Sequence, residues 1–174
     1  MTYVLAGTLG GAAAGAGLAA LGSLIAEDVR VALATTAALV GVPVGMFELV
    51  GRRIRPLQCD RETPRRWMSA GAIGWAARNG LALGTGASSR LGFVLWYVVP
   101  TAAFLSANVA LGAGIFATYG FCRTAAAYVI IRAARTRGFE AIADALHRAS
   151  GLAHMAAAGQ LTVLALTTLI VVGM

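Results

Sequence analysis

The sequence predicts an all-α integral membrane protein: a helical bundle of about five transmembrane helices, between four and six, with one interfacial amphipathic helix. Three observations carry that prediction. Residues of the set AVILMFWYC make up 59% of the 174 and charged residues only 12%, against about 45–50% and about 25% in soluble domains. Mean hydropathy is +0.77. The apolar residues come in runs near the roughly 20 residues that one bilayer crossing requires, so five crossings leave room for modest loops and no second domain. A single polytopic membrane domain over 1–174 follows.

The elements follow in order. Tyr3 to Ile25 carries no charge and ends at Glu27, Asp28 and Arg30, giving a first span over 3–25. It lacks the basic leader and small-residue cleavage site of a secretory signal, so it is expected to be retained. A second span, 31–50, follows at once and makes a hairpin with an acidic turn. Gly51 to Trp67 is the first loop, with six arginines, and Pro56 and Pro64 bar a continuous helix there. Segment 68–89 either crosses or dips in and returns, because Arg78 and Asn79 interrupt it. Leu91 to Ile131 is too long for one span and reads as two, 91–107 and 109–131, turning at Ser106 and Asn108, with a kink expected at Pro100. Phe139 to Ala153 sets Phe139, Ile142, Leu146 and Ala149 opposite Glu140, Asp144, His147 and Arg148, the pattern of a helix lying in the interface. The last span is 155–173. Trp67, Trp96 and Tyr97 fit an aromatic belt.

Charge reports topology rather than nucleic-acid binding. All fourteen basic residues are arginine, and ten of them lie in 51–67 or between Arg132 and Arg148. Short basic loops favour the cytoplasm, so both are expected there, facing anionic lipid headgroups. An even number of crossings then separates them, whether 68–89 is re-entrant and 91–131 a hairpin or each crosses once. Five spans result, with the N-terminus cytoplasmic. The arginine, alanine and glycine bias is that of a high-GC bacterial genome, which puts the chain in a bacterial inner membrane.

Five groups of residues are candidates for specific roles. Gly7, Gly11 and Gly15 recur every four residues and leave one face of the first span almost bare, suited to close helix packing unless the row is only composition. Glu48 and Arg123 are charges inside apolar spans at similar depth, so they are expected to pair unless each snorkels to the headgroups. Arg78, Asn79, Gly84, Gly86 and Arg90 combine counter-charge with backbone that can approach an anion; they are expected to hold a solute anion or a lipid headgroup, though no phosphate-loop pattern exists. Cys59 and Cys122 stand beside arginines, which favours thiolate, but they lack a Cys-x-x-Cys, Cys-x-x-Pro or Pro-Cys setting and read as structural before redox-active. His147 and His154, two turns apart, are too distant for one metal and read as interfacial side chains. A faint echo, Gly45-Met46-Phe47 with Gly51 against Gly114-Ile115-Phe116 with Gly120, raises an internal repeat.

No Ser-His-Asp set, metal cluster or paired intramembrane carboxylates stand in the sequence, so no cofactor or metal is expected and an enzyme role starts at a disadvantage. The leading expectation is a small permease-type or channel-forming transport module for a small solute, with an anion among the candidates, assembled with itself or with a partner membrane protein. Behind it stand a non-catalytic subunit or anchor of a larger membrane complex and a thiol-disulfide electron conduit.

Overall fold

The structure, a computed structural model, describes residues 1–52, 54, 69, 71–86 and 93–173. Over these the chain is an all-α bundle. It comprises α1 (Thr2–Gly22), α2 (Glu27–Leu49), α3 (Gly71–Thr85), a 3-10 turn (Val94–Tyr97) leading into α4 (Val98–Ser106), α5 (Val109–Arg137) and α6 (Phe139–Gly173). Helices α1, α2, α5 and α6 are long and apolar enough to cross a bilayer. Large apolar side chains such as Leu9, Leu39, Phe121 and Ile170 face outward, while the interior is built largely of glycine and alanine. That inversion of a soluble core suits lipid, where outward leucines cost nothing and association depends on close packing. The protein is a helical membrane bundle.

Helix α1 stands among α3, α4 and α5, and its buried face is Gly7, Gly10, Gly11, Gly15, Ala19 and Gly22. Backbone meets backbone along this seam. A β-carbon at Gly15 would collide with the Gly112 carbonyl, one at Gly11 with the Phe116 carbonyl, and one at Gly7 with Thr124. The partner numbers rise as the α1 numbers fall, so α5 runs antiparallel to α1. On α3, Gly80 meets the Tyr3 carbonyl and Gly84 the Gly7 carbonyl, so α3 runs parallel to the first half of α1. Helix α4 takes over beside the second half, where Phe104 meets Gly22.

Two expected elements are thereby corrected. The 15 residues of α3 span roughly 22 Å, too little for the 30 Å of hydrocarbon, and α4 with its 3-10 turn is shorter still. Neither α3 nor α4 is long enough to cross alone, which favours the re-entrant over the spanning alternative for 68–89; the two lie in succession along α1 as a broken crossing, with residues 87–92 outside the described residues. Gly86 has φ 71 at one edge of the break, and Phe93 is extended at the other, φ −141 and ψ 145. Helices α1, α2, α5 and α6 are the four that are each long and apolar enough to cross alone among the described residues. The turn after α4 falls at Ala107, φ 47, and Asn108 caps α5 by accepting from the Leu111 N–H at 3.1 Å. Helix α5 runs on to Arg137, beyond the expected end at 131.

The separate interfacial helix is also corrected. Helix α6 is continuous for 35 residues, roughly 52 Å, because the lone Gly151 is not enough to break it. Phe139 to Ala153 forms its first turns and overshoots the length a crossing needs. Pro100 lies in the first turn of α4, which continues directly from the 3-10 turn Val94–Tyr97, so the change from 3-10 to α-helix falls just ahead of it. The mid-helix proline is Pro43 in α2, which leaves the Leu39 carbonyl without its usual donor.

Helices α2 and α6 form a second packing unit. Gly41 faces Ala165, and Gly45 faces Thr162 and Ala158, an antiparallel register. The start of α1 and α6 and the end of α2 and α5 therefore lie at one end of the bundle, with Arg52, Arg132, Arg135 and Arg137. The rest of the loop Gly51 to Trp67 lies outside the described residues, apart from Ile54.

Candidate functional site

The packing row of α2 is Ala38, Gly41 and Gly45, and one turn further it reaches Glu48. The facing row of α6 is Ala165, Leu161 and Ala158, and one turn further it reaches His154. The antiparallel register brings these two row ends together: Glu48 Oε1 lies 3.9 Å from His154 Nε2. Glu48 is only 3% exposed. Neither of its carboxylate oxygens, nor His154 Nε2, has a hydrogen-bond partner among the described residues. At 3.9 Å the groups attract but do not hydrogen-bond. Glu48 is the last residue but one of α2, so it is burial against α6 rather than mid-membrane depth that keeps it from water, and a buried carboxylate without a hydrogen bond is a functional signal. The Phe93 ring, at the edge of the broken crossing, stands 5.0 Å from the His154 ring.

The expected Glu48 to Arg123 pair is not formed. Glu48 lies on α2, which packs on α6, whereas Arg123 lies on α5 beside α1. Arg123 instead donates to the Tyr119 hydroxyl one turn away, with its guanidinium 5.6 Å from that ring's centroid. Similar depth in the membrane did not imply adjacency across the bundle.

One helical turn from Glu48 begins an open-sided cavity of about 770 Å³. Helix α2 contributes Leu33, Ala37, Gly41 and Val44, the broken crossing Val94, Tyr97, Val98 and Thr101, and α6 Leu161, Ala165 and Thr168. Its threonines offer little polarity: Thr36 donates to the Ala32 carbonyl at 2.8 Å and Thr168 to the Leu164 carbonyl at 2.9 Å. The cavity is apolar in effect. Its last lining residues toward the arginine-rich end, Val44 and Val94, are one turn from Glu48 and one residue from Phe93.

The two glycines of the expected anion site are packed against protein. Gly84 is buried against the Gly7 backbone, and Gly86 lies under the Trp96 indole, so their missing side chains admit neighbours rather than a ligand. Arg78 is exposed, close to the level of Tyr3 at the arginine-rich end, with no ion pair among the described residues. Asn79 is half-buried and has an interaction of its own. Arg90 lies outside the described residues, as do Ser88 and Ser89.

The remaining candidates fall apart in space. Cys122 is an exposed free thiol on α5, and Cys59 lies outside the described residues. The two halves of the internal echo are not equivalent: Phe116 is 1% exposed in the glycine seam, while Phe47 is 50% exposed. Gly45 is packed against α6, and Gly114 faces open space. His147 is exposed on the overshooting part of α6, so the two histidines, read alike from the sequence, have opposite surroundings.

His154 is the residue that sequence reasoning missed. Its signal was present, since it continues the small-residue row of α6 just as Glu48 continues that of α2, but only the pairing of α2 with α6 makes the two rows meet. Among the described residues no group of three or more His, Cys, Asp or Glu is placed to hold a metal ion. No protein-family model, curated protein or solved structure matches this chain.

Proposed function

We propose that the protein is a permease-type transport module of a bacterial inner membrane, and that its solute space is the cavity between α2, α6 and the broken crossing. The observation that carries this reading is an open-sided apolar cavity in a membrane bundle, whose lining ends one helical turn from the buried Glu48 carboxylate, with His154 the nearest ionisable side chain among the described residues. Helix breaks at mid-span and ionisable groups beside a cavity are recurring parts of transport pathways. The charge nearest the cavity is acidic, so the solute favoured is neutral or cationic with an apolar body, in place of the anionic solute that the arginines alone suggested. The arginine-rich end is the cytoplasmic end by the positive-inside rule, which puts the N-terminus inside.

Uptake of ethidium, a planar apolar cation, into vesicles containing the protein and trapped DNA tests the reading. Accumulation above protein-free vesicles is expected, with a loss of tenfold or more in Ala34→Phe, which fills the cavity. Uptake of benzoate in preference to ethidium would reinstate the anionic reading. No cavity-dependent flux of either, together with stoichiometric co-purification of a larger membrane protein, would replace transport with the subunit role.

A further inference from the structure

The transport reading leaves the coupling ion open, and the surroundings of Glu48 narrow it. A metal or alkali cation needs several oxygen or nitrogen ligands. Among the described residues only two ionisable side chains converge here, and their neighbours on the packing rows are Gly45, Ala157 and Ala158. The carbonyls of Met46, Phe47 and Glu48, at the end of α2, already accept from the Val50, Arg52 and Gly51 N–H groups, and those around His154 are mid-helix. One cation needs no coordination shell beyond a donor and an acceptor. We propose that Glu48 and His154 together form a proton-binding site, and that the proton is the ion coupled to transport through the neighbouring cavity; the coupling, though not the site, rests on the transport reading above.

The geometry supplies both states. With the proton on Glu48, the carboxyl O–H donates to His154 Nε2, and closing the 3.9 Å gap by about 1 Å reaches hydrogen-bond length. With the proton on His154, an imidazolium faces a carboxylate, and the net charge of the pair is again zero. Release of that proton leaves the carboxylate alone, a state that a cationic solute or hydration would relieve. Proton and cation thus compete for one charge, which is the requirement for exchange. Phe93 connects the pair to the cavity, because its ring contacts His154 and the next residue, Val94, lines the cavity.

Other ionisable groups on the packed elements do not neutralise the pair. Arg52, one turn beyond Glu48, lies over the Phe47 ring at 5.8 Å. Tyr97 lies in the 3-10 turn, His147 and Arg148 are exposed nearer the start of α6, and on α5 Arg123 is bonded to Tyr119 while Tyr128 and Arg132 are exposed. None forms an ion pair or hydrogen bond with Glu48 or His154 among the described residues.

Two measurements on the full chain test the proposal separately. In purified protein, infrared difference spectra between acid and alkaline buffer should contain a carboxylic-acid C=O band that Glu48→Gln removes and His154→Gln shifts. In vesicles with a trapped pH-sensitive dye and a potassium diffusion potential, proton flux should fall at least tenfold in Glu48→Gln and recover in part in Glu48→Asp. Glu48→Gln is isosteric, and monodisperse elution establishes that it is folded. An infrared spectrum untouched by Glu48→Gln would overturn the site. Proton flux absent from the native protein, or unchanged in folded Glu48→Gln, would overturn the coupling. An intact infrared signature with no solute or proton flux would refute the transport reading while keeping the proton site.

Discussion

Around α1 the helices touch through their backbones, whereas between α2 and α6 they touch through small side chains, and the two regions differ in what they hold. The α1 seam brings carbonyls of α3, α4 and α5 against glycines and buries Phe116 and Thr124 completely enough to leave 1% and 0% exposed. Thr124 there donates to the Gly120 carbonyl at 2.6 Å, so even its hydroxyl is satisfied. Backbone cannot step aside, so this region has one arrangement. Across the bundle, α2 and α6 border an open-sided cavity and bury an unsatisfied acid, and they are joined to the first unit by far less packing. A protein that must hold a shape and also change it divides the tasks in this way: tight, polar-satisfied packing in one unit, and a loose, unsatisfied site in the other.

The sharpest way to break the comparison is to insert volume at matched glycines. Gly15→Leu should abolish the folded particle, because the added atoms strike the Gly112 carbonyl and the Phe116 side chain; a loss above about 3 kcal/mol is expected, at or past the upper range of ordinary overpacking. Size-exclusion profiles and thermal unfolding in mild detergent check it, and a stable, unaltered particle would mean that the seam is not a packed interface. At Gly45 the closest atom is the Thr162 hydroxyl oxygen, with the Ala158 carbonyl at 3.1 Å. A side chain can rotate, so Gly45→Ala should cost only about 1–2 kcal/mol. Equal losses from Gly45→Ala and Gly15→Ala would erase the distinction between the two units.

Glu48→Leu sharpens it from the other direction. Replacing a buried, unsatisfied carboxylate by an apolar side chain of similar size should raise thermal stability by about 1–2 kcal/mol, within the range measured when buried ionic groups are replaced, while removing transport. If Glu48→Leu instead destabilised the protein, the acid would be a structural tie between α2 and α6. The smallest effects belong to positions outside both units. Arg78→Ala, at an exposed side chain, should change stability by less than about 0.5 kcal/mol and leave flux near native, and Gly17→Ala, where an added β-carbon meets nothing within 4 Å, should stabilise by up to about 1 kcal/mol through helix propensity.

Topology gives a further check that is independent of energy. Cysteines introduced at Arg52 and at Arg135, with Cys59 and Cys122 replaced by serine, should both resist an impermeant maleimide applied outside intact cells. Labelling of one and not the other would separate two helix ends that the α2 to α6 register brings to the same end of the bundle.

Much of the architecture was determined by the sequence alone. Composition required a membrane bundle, since a chain with 12% charge cannot cover a soluble surface. Of the expected spans, 3–25, 31–50, 109–131 and 155–173 fall on the four long apolar helices, and Ser106 with Asn108 marked the turn before α5, because polar caps and breaks act locally. The bare face of Gly7, Gly11 and Gly15 was also readable, because a row of missing side chains has one main use in lipid. What only the tertiary structure decided is which faces meet. Hydrophobicity fixes depth but not direction around a helix axis, so Glu48 and Arg123 looked like partners although their helices lie in different packing units. Neither 68–89 nor 91–107 revealed that they share one crossing, because that follows from contacts of Gly80, Gly84 and Phe104 along α1. The pairing of Glu48 with His154 joins residues 106 positions apart, and it exists only because the small-residue rows of α2 and α6 lock in antiparallel register.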